Sequence, residues 1–181
     1  MFSAVLPSSL RVLDVQGGRV SLPDLGHQTA LTKLQLRQTV LTPARGQLPP
    51  LPALHFFICD ARYLVWDNSP DDWPGPQDLG LASSAPLLSS VKFSLGTCGM
   101  SWPHEQLATL APLAQLRTIE LDFDSYGVLW PEKLLQANTL VSLPHSVTKL
   151  VLWEFDGRAP AVALPEDVAV VFKTHFDIPL P

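Results

Sequence analysis

The chain contains five histidines and two cysteines, and their spacing decides whether metal or nucleophilic chemistry can be expected. The histidines are His27, His55, His104, His145 and His175. They match no HExxH motif, and the chain also lacks GxSxG, P-loop and GxGxxG patterns. Glu105 follows His104, but Ala108 stands where a zinc-binding helix would need its second histidine. The sequence therefore predicts no enzyme activity, no metal site and no cofactor.

The cysteines and the N-terminus indicate the compartment. Cys59 and Cys98 lie 39 residues apart without a CxxC partner, a spacing that favours a reducing environment over a disulfide-stabilised secreted fold. The first residues, MFSAVLPSSLRVL, have neither the basic leader nor the apolar core of a signal peptide, and no apolar run approaches a bilayer span. We expect a cytoplasmic protein that does not bind membranes.

Composition limits the fold and the partners. The 181 residues are 46% hydrophobic and 16% charged, which predicts one globular domain over residues 1–181. The 12 basic and 17 acidic residues give a net charge of −5. A protein that binds duplex nucleic acid needs an excess of basic side chains to displace counterions from phosphate, so we expect no nucleic-acid partner.

A repeated pattern of apolar residues at the first, fourth and sixth positions of a hexapeptide organises the chain. The six copies are LRVLDV from Leu10, LTKLQL from Leu31, LHFFIC from Leu54, LSSVKF from Leu88, LRTIEL from Leu116 and VTKLVL from Val147. A seventh, VAVVFK from Val168, places Lys173 at an inward position unless its register shifts to Val168, Val170 and Phe172. The first positions are separated by 21, 23, 34, 28, 31 and 21 residues.

This pattern and its spacing resemble the leucine-rich repeat superfamily. The resemblance implies an α/β leucine-rich repeat solenoid, or horseshoe, of about six to seven repeats, with a parallel concave sheet and short helices or irregular loops on the convex side. The family places an asparagine two residues beyond each last apolar position, where it satisfies backbone groups of the turn. Here those positions hold Gly18, Thr39, Arg62, Gly96, Asp124 and Phe155, which indicates an irregular member. Of these, only Asp124 is expected to imitate the asparagine.

Segments between the repeats predict helices and one insertion. Trp73-Pro74, Trp102-Pro103 and Trp130-Pro131 recur at spacings of 29 and 28 residues, and proline suits the first turn of a helix. The second and third pairs precede HEQLATLAPLAQ and EKLLQANTLVS, in which the leucines follow a roughly helical stripe, although Pro112 should end or kink the first helix. Residues 62–86, rich in proline and aspartate, predict a long surface loop inserted between repeats or a decayed repeat.

Strand alternation also predicts which side chains face away from the core. One row is Asp14, Gln35, Ile58, Lys92, Glu120 and Val151, and the row beside it is Gln16, Arg37, Asp60, Ser94, Asp122 and Trp153. The candidate partner-binding residues are Glu120, Asp122, Phe123, Trp153 and Glu154. They form an aromatic anchor bordered by carboxylates, and an acidic border favours a basic peptide or protein. The alternative is that Trp153 only covers the sheet and that the acids are solvated.

Three functions are compatible with these sequence features. The first is a non-catalytic protein–protein interaction module that binds a protein or peptide on its concave face. The second is a substrate-recruiting adaptor or regulatory subunit of a larger enzyme complex, such as a ubiquitin ligase. The third, a hydrolase without a recognisable motif, has the least support. The repeat ends lack obvious polar caps, so homo-oligomerisation through these ends is a further expectation.

Overall fold

A computed structural model describes residues 6–37, 39–42, 47–60, 79–95, 107–123, 143–153 and 166–173. Nine strands are present in these residues: β1 Val12–Gln16, β2 Arg19–Ser21, β3 Lys33–Arg37, β4 Val40–Thr42, β5 Phe56–Asp60, β6 Ser90–Leu95, β7 Thr118–Phe123, β8 Lys149–Trp153 and β9 Ala169–Lys173. A 3-10 helix spans Pro23–His27, and a short helix, α1, spans Leu81–Ser84.

Seven of the strands form one parallel sheet in the order β1-β3-β5-β6-β7-β8-β9. Each strand therefore pairs with its predecessor and its successor in this series, and the sheet is open instead of closing into a barrel. The remaining strands, β2 and β4, pair with each other in parallel. The architecture is α/β-like, with a large parallel sheet and little helix, as the repeated hexapeptides predict.

One face of this sheet is the hydrophobic core. The fourth and sixth positions of successive hexapeptides are aligned in register, from Leu13 and Val15 in β1 to Leu150 and Leu152 in β8. In β3 and in β5 to β8 these residues are buried, while those of β1 are partly exposed at the sheet edge. Because strand side chains alternate between faces, this alignment gathers the apolar residues on one side.

The seventh hexapeptide follows the shifted register. Val170 and Phe172 of β9 pair with the core positions Leu150 and Leu152, whereas Lys173 pairs with Trp153 on the other face. Val168 and Val170 pack against the core, whereas Phe172, on the edge strand, is 45% exposed. The shift avoids the desolvation of the Lys173 ammonium group that the unshifted hexapeptide would require.

Turns with a three-residue period lead into the strands. The backbone N–H groups of Leu110, Leu113 and Leu116 each donate to the carbonyl oxygen three residues earlier, at distances of 3.1, 3.0 and 3.1 Å. Leu25, Gln28 and Leu31 repeat this pattern ahead of β3, at 3.1, 2.9 and 3.1 Å. The leucines of both series are buried. In this series of turns, one side chain per turn packs into the core, and no extended helix is needed.

The predicted helix over residues 104–115 is therefore shorter than expected. Within its described part, residues 107 and 108 are helical and turns follow from Thr109, so the helix ends before Pro112. Its stripe of Leu107, Leu110 and Leu113 is nevertheless buried. The three Trp-Pro pairs and the second predicted helix lie outside the described residues.

The C-terminal end of the predicted insertion loop is packed into the molecule. Residues 79–86 include α1, and Leu79, Leu81 and Ala85 are buried. Ser84 anchors this segment, since its hydroxyl donates to the Leu48 carbonyl oxygen at 2.6 Å. The part of the insertion over residues 62–78 lies outside the described residues.

Three turn residues satisfy roles that the sequence pattern leaves open. Gly17 and Gly18, which connect β1 to β2, have φ angles of 72° and 80°, a conformation that glycine adopts without steric cost. Thr39 is buried, and its hydroxyl donates to the carbonyl oxygens of Arg37 at 2.8 Å and Val15 at 3.4 Å. Thr39 therefore satisfies backbone groups at the position where the leucine-rich repeat pattern that the sequence resembles has asparagine, a role that the sequence predicts only for Asp124. Asp124 lies outside the described residues.

Candidate functional site

The sheet face opposite the core carries the candidate site, and we name it the open face. The strand register aligns its residues in three rows, at the N-terminal, middle and C-terminal levels. The N-terminal row is Val12, Lys33, Phe56, Ser90, Thr118, Lys149 and Ala169. The middle row is Asp14, Gln35, Ile58, Lys92, Glu120, Val151 and Val171. The C-terminal row is Gln16, Arg37, Asp60, Ser94, Asp122, Trp153 and Lys173.

The middle and C-terminal rows confirm the register that the sequence predicts for the outward positions. Every pair of neighbours in those two predicted rows is aligned across adjacent strands, from Asp14 opposite Gln35 to Asp122 opposite Trp153. This alignment follows from the regular hexapeptide, since a slip of one residue would turn the apolar set to solvent.

Trp153 is the centre of a polar cluster on β6 to β9. Its indole Nε1 donates to Glu120 Oε2 at 3.0 Å, so the ring lies back across the sheet toward β7. Two ammonium groups contact the ring, with Lys92 Nζ 4.3 Å and Lys173 Nζ 4.7 Å from its centroid. Cations over an indole face are attracted by its quadrupole. We name this set of residues, with Asp122, the Trp153 cluster.

Asp122 is paired and buried inside the Trp153 cluster. Its Oδ2 atom lies 3.1 Å from Lys92 Nζ and accepts a hydrogen bond from the Ser94 hydroxyl at 3.4 Å. Only 3% of Asp122 is exposed. A buried carboxylate requires such partners, because removing its charge from water costs on the order of several kcal/mol. Asp122 therefore contributes to the packing of the open face, whereas the sequence predicts a carboxylate available to a partner.

The predicted binding residues are brought together only in part. Glu120, Asp122 and Trp153 form one cluster, as predicted. Phe123 is described as the backbone partner of Leu95 at the end of β7, but its side chain lies outside the described part, as does Glu154 entirely. The two lysines that contact Trp153 balance the charges of Glu120 and Asp122. The expected attraction of a basic partner by these two carboxylates is therefore weakened.

A second polar cluster lies on β1 and β3. Arg37 Nη2 lies 3.8 Å from Asp14 Oδ2, and about half of each side chain is exposed. With its amide oriented toward Arg37, Gln35 accepts hydrogen bonds from Nε and Nη2 of the guanidinium group. An exposed ion pair of this kind contributes little to stability, about 0–1 kcal/mol.

Between the two clusters lies a shallow depression that the sequence pattern does not reveal directly. It has a volume of about 450 Å³, and its lining includes Lys33, Phe56, Ile58, Ser90, Lys92 and Glu120. Phe56, the first residue of the interior strand β5, is 49% exposed although it is a large aromatic side chain. The N-terminal row could have indicated it, because Phe56 holds the position before the fourth apolar residue, where strand alternation turns a side chain outward.

The remaining chemistry-bearing residues show no catalytic grouping in the described part of the chain. Cys59 is a fully buried thiol at a core position of β5, which makes it a poor nucleophile. The segments described above contain no cluster of three His, Cys, Asp or Glu side chains suited to a metal ion. No helix among them is long and apolar enough to span a membrane.

Comparisons with protein-family models, with curated proteins and with solved structures give no match for this chain. Its functional interpretation therefore depends on the geometry and chemistry of the open face.

Proposed function

We propose that this chain is a leucine-rich repeat solenoid that acts as a non-catalytic interaction module and binds a protein or peptide on its open face. Three observations support the solenoid. The seven strands follow one another in the sheet in the same order as in the chain, and the hexapeptides keep a constant register. The hydrophobic core lies on one side of the sheet. Such repeats bury their hydrophobic residues against neighbouring repeats and leave the opposite sheet face available.

The exposure of Phe56 is the observation that carries the binding role. Phe56 is the first residue of an interior strand and lies on the face away from the core, where about half of its surface is exposed. Aromatic side chains beside charged groups are typical of the residues that contribute most to protein interfaces. The depression beside Phe56 offers a place for a partner side chain, and the Trp153 cluster forms its polar border.

A displayed library of short linear peptides, selected on the native chain, tests this function. The enriched peptides are then titrated against the double variant Val12→Ser, Phe56→Ser, which removes two exposed apolar side chains from the N-terminal row. The control is Leu87→Ser. Leu87 is 43% exposed, similar to Phe56, but lies in the turn ahead of β6 and outside the three rows.

We expect the double variant to bind the peptides about tenfold more weakly, because each side chain loses contact area, and we expect Leu87→Ser to bind as the native chain does. Circular dichroism of all three proteins checks that each is folded. A library that yields no binders, or binders that lose the same affinity in the control as in the double variant, contradicts the proposal.

A further inference from the structure

The charges of the open face are distributed unevenly among its rows. In the middle and C-terminal rows, cations and carboxylates lie close together, as in the Arg37–Asp14 contact at 3.8 Å and the Lys92–Asp122 pair at 3.1 Å. The N-terminal row contains Lys33 and Lys149 but no carboxylate. Neither lysine forms an ion pair within the residues that the structure describes. Among the side chains that the structure describes, three cations and three carboxylates occupy the middle and C-terminal rows, so the net positive charge of the three rows lies in the N-terminal row.

These two lysines lie at the two ends of a line of residues that crosses the sheet, and we name this line the track. Lys33 is in β3 and Lys149 is in β8, four strand spacings apart, or roughly 19 Å in a flat sheet. Phe56, Ser90 and Thr118 occupy the row between them. An extended segment of about six residues covers this distance. Such a segment would meet an ammonium group near each end and an exposed aromatic ring between them.

The depression beside Phe56 adds an apolar contact to this track. It has a volume of about 450 Å³ and is open to solvent, which is room for a side chain of a bound segment. Phe56 and Ile58 supply apolar surface, and the Ser90 hydroxyl and the Lys33 ammonium group lie at its border. A bulky apolar side chain flanked by a carboxylate fits this combination.

We infer that the occupant of the open face is an extended acidic segment of a partner protein that carries a bulky apolar side chain. This inference rests on the proposed function and specifies the chemistry of the partner. It replaces the basic partner expected from Glu120 and Asp122, since Lys92 and Lys173 accompany those carboxylates while Lys33 and Lys149 have no acid in their row.

The whole chain has a net charge of −5, but the charges on the open face are distributed differently from this average. Among the row residues whose side chains the structure describes, there are five cations and three carboxylates, a net charge of +2. The cations are Lys33, Arg37, Lys92, Lys149 and Lys173, and the carboxylates are Asp14, Glu120 and Asp122. Exposed charges more distant than about 8 Å are largely screened at physiological ionic strength. Charges close to a bound segment therefore matter more than the net charge of the whole chain.

Two pools of synthetic peptides, identical in their apolar positions, test the inference. One pool carries Asp and Glu at the intervening positions and the other carries Lys. Each pool is titrated against the native chain, Lys33→Glu, Phe56→Ser and the control Arg19→Glu. The control makes the same charge change at an exposed position of β2, outside the three rows.

We expect the native chain to bind the acidic pool about tenfold more tightly than the basic pool. Lys33→Glu should weaken acidic-pool binding about tenfold, and Arg19→Glu should change it less than about twofold, because distant exposed charges are screened. Higher salt should weaken binding of the acidic pool to the native chain.

Other outcomes separate failure of the inference from failure of the proposed function. If the basic pool binds as well as or better than the acidic pool, and Phe56→Ser still abolishes binding, the open face is the site and the acidic partner is wrong. If neither pool binds but library peptides bind through Phe56, the partner chemistry is also wrong. A dimer in sedimentation that Phe56→Ser dissociates identifies a second copy as the occupant and overturns the inference. If the library also yields no binder, the proposed function fails.

Discussion

Phe56 and Phe57 are neighbours in β5, yet they belong to opposite faces of the sheet and to different roles. Phe57 is fully buried, and its ring packs edge to face against Phe93 with centroids 6.0 Å apart. Phe56 projects from the open face beside a depression lined by charged side chains. The core face repeats one kind of residue in every strand, whereas the open face differs from strand to strand. Folding therefore constrains the core face to one kind of residue, whereas the open face tolerates different residues from strand to strand.

Replacing each phenylalanine by alanine tests this comparison with the largest expected change in stability. Phe57→Ala should lower the free energy of unfolding by about 3–5 kcal/mol, because it removes buried surface and leaves a cavity. Phe56→Ala should lower it by less than about 1 kcal/mol, because half of the ring is already in water. Urea denaturation followed by circular dichroism measures both values. Similar losses for the two variants would break the assignment of one core face and one open face.

The Lys92–Asp122 pair tests whether part of the open face is itself structural. Lys92→Met should destabilise the fold by about 1–3 kcal/mol, because it removes a cation from beside a buried carboxylate. The double variant Lys92→Met, Asp122→Asn should recover most of this loss, since no charge is then left buried. Lys173→Met is the control, because it removes the other cation from Trp153 and should cost less than about 1 kcal/mol.

A double-mutant cycle in urea supplies these values. If Lys92→Met is no more destabilising than Lys173→Met, the Lys92–Asp122 pair does not stabilise the Trp153 cluster, and both carboxylates become candidates for partner contacts again.

The smallest expected effect comes from comparing a buried threonine hydroxyl, that of Thr39, with an exposed one. Thr39→Val should cost about 1 kcal/mol, because the carbonyl oxygens of Arg37 and Val15 lose a hydroxyl donor in a buried position. Thr32→Val is its match, since the Thr32 hydroxyl donates to the Arg11 carbonyl oxygen at 2.9 Å in an exposed position. We expect a loss below about 0.5 kcal/mol there, as water can replace the hydroxyl. Equal thermal denaturation midpoints for the native chain and Thr39→Val would contradict the proposed role of Thr39.

The strands and their register could be predicted from the sequence, because a two-residue alternation within each hexapeptide specifies which side chains face the core. Leu34, Phe57, Val91, Ile119 and Leu150 occupy aligned positions for this reason. The register of the last strand could also be anticipated, because Lys173 is costly to bury. These predictions depend on local spacing and on the free energy of moving a side chain from water into the core.

The connecting turns and the side-chain clusters were harder to predict. Leucines three residues apart in Leu107, Leu110 and Leu113 fit both a helix and a series of three-residue turns, and only the backbone hydrogen bonds distinguish the two. The Trp153 cluster depends on the reach of long side chains. Lys92 contacts Trp153 from two strands away, a distance that row positions alone do not reveal.

Lysine labelling of a bound complex distinguishes the open face from every other surface of the chain. The native chain is acetylated under limiting conditions, with and without a saturating acidic peptide from the enriched library, and the labelled lysines are quantified by mass spectrometry. If the open face is the binding surface, the peptide should protect Lys33 and Lys149 severalfold, and it should leave the N-terminal amine labelled as before. If the peptide binds and both lysines keep their original reactivity, binding occurs elsewhere and the open face is not the binding surface.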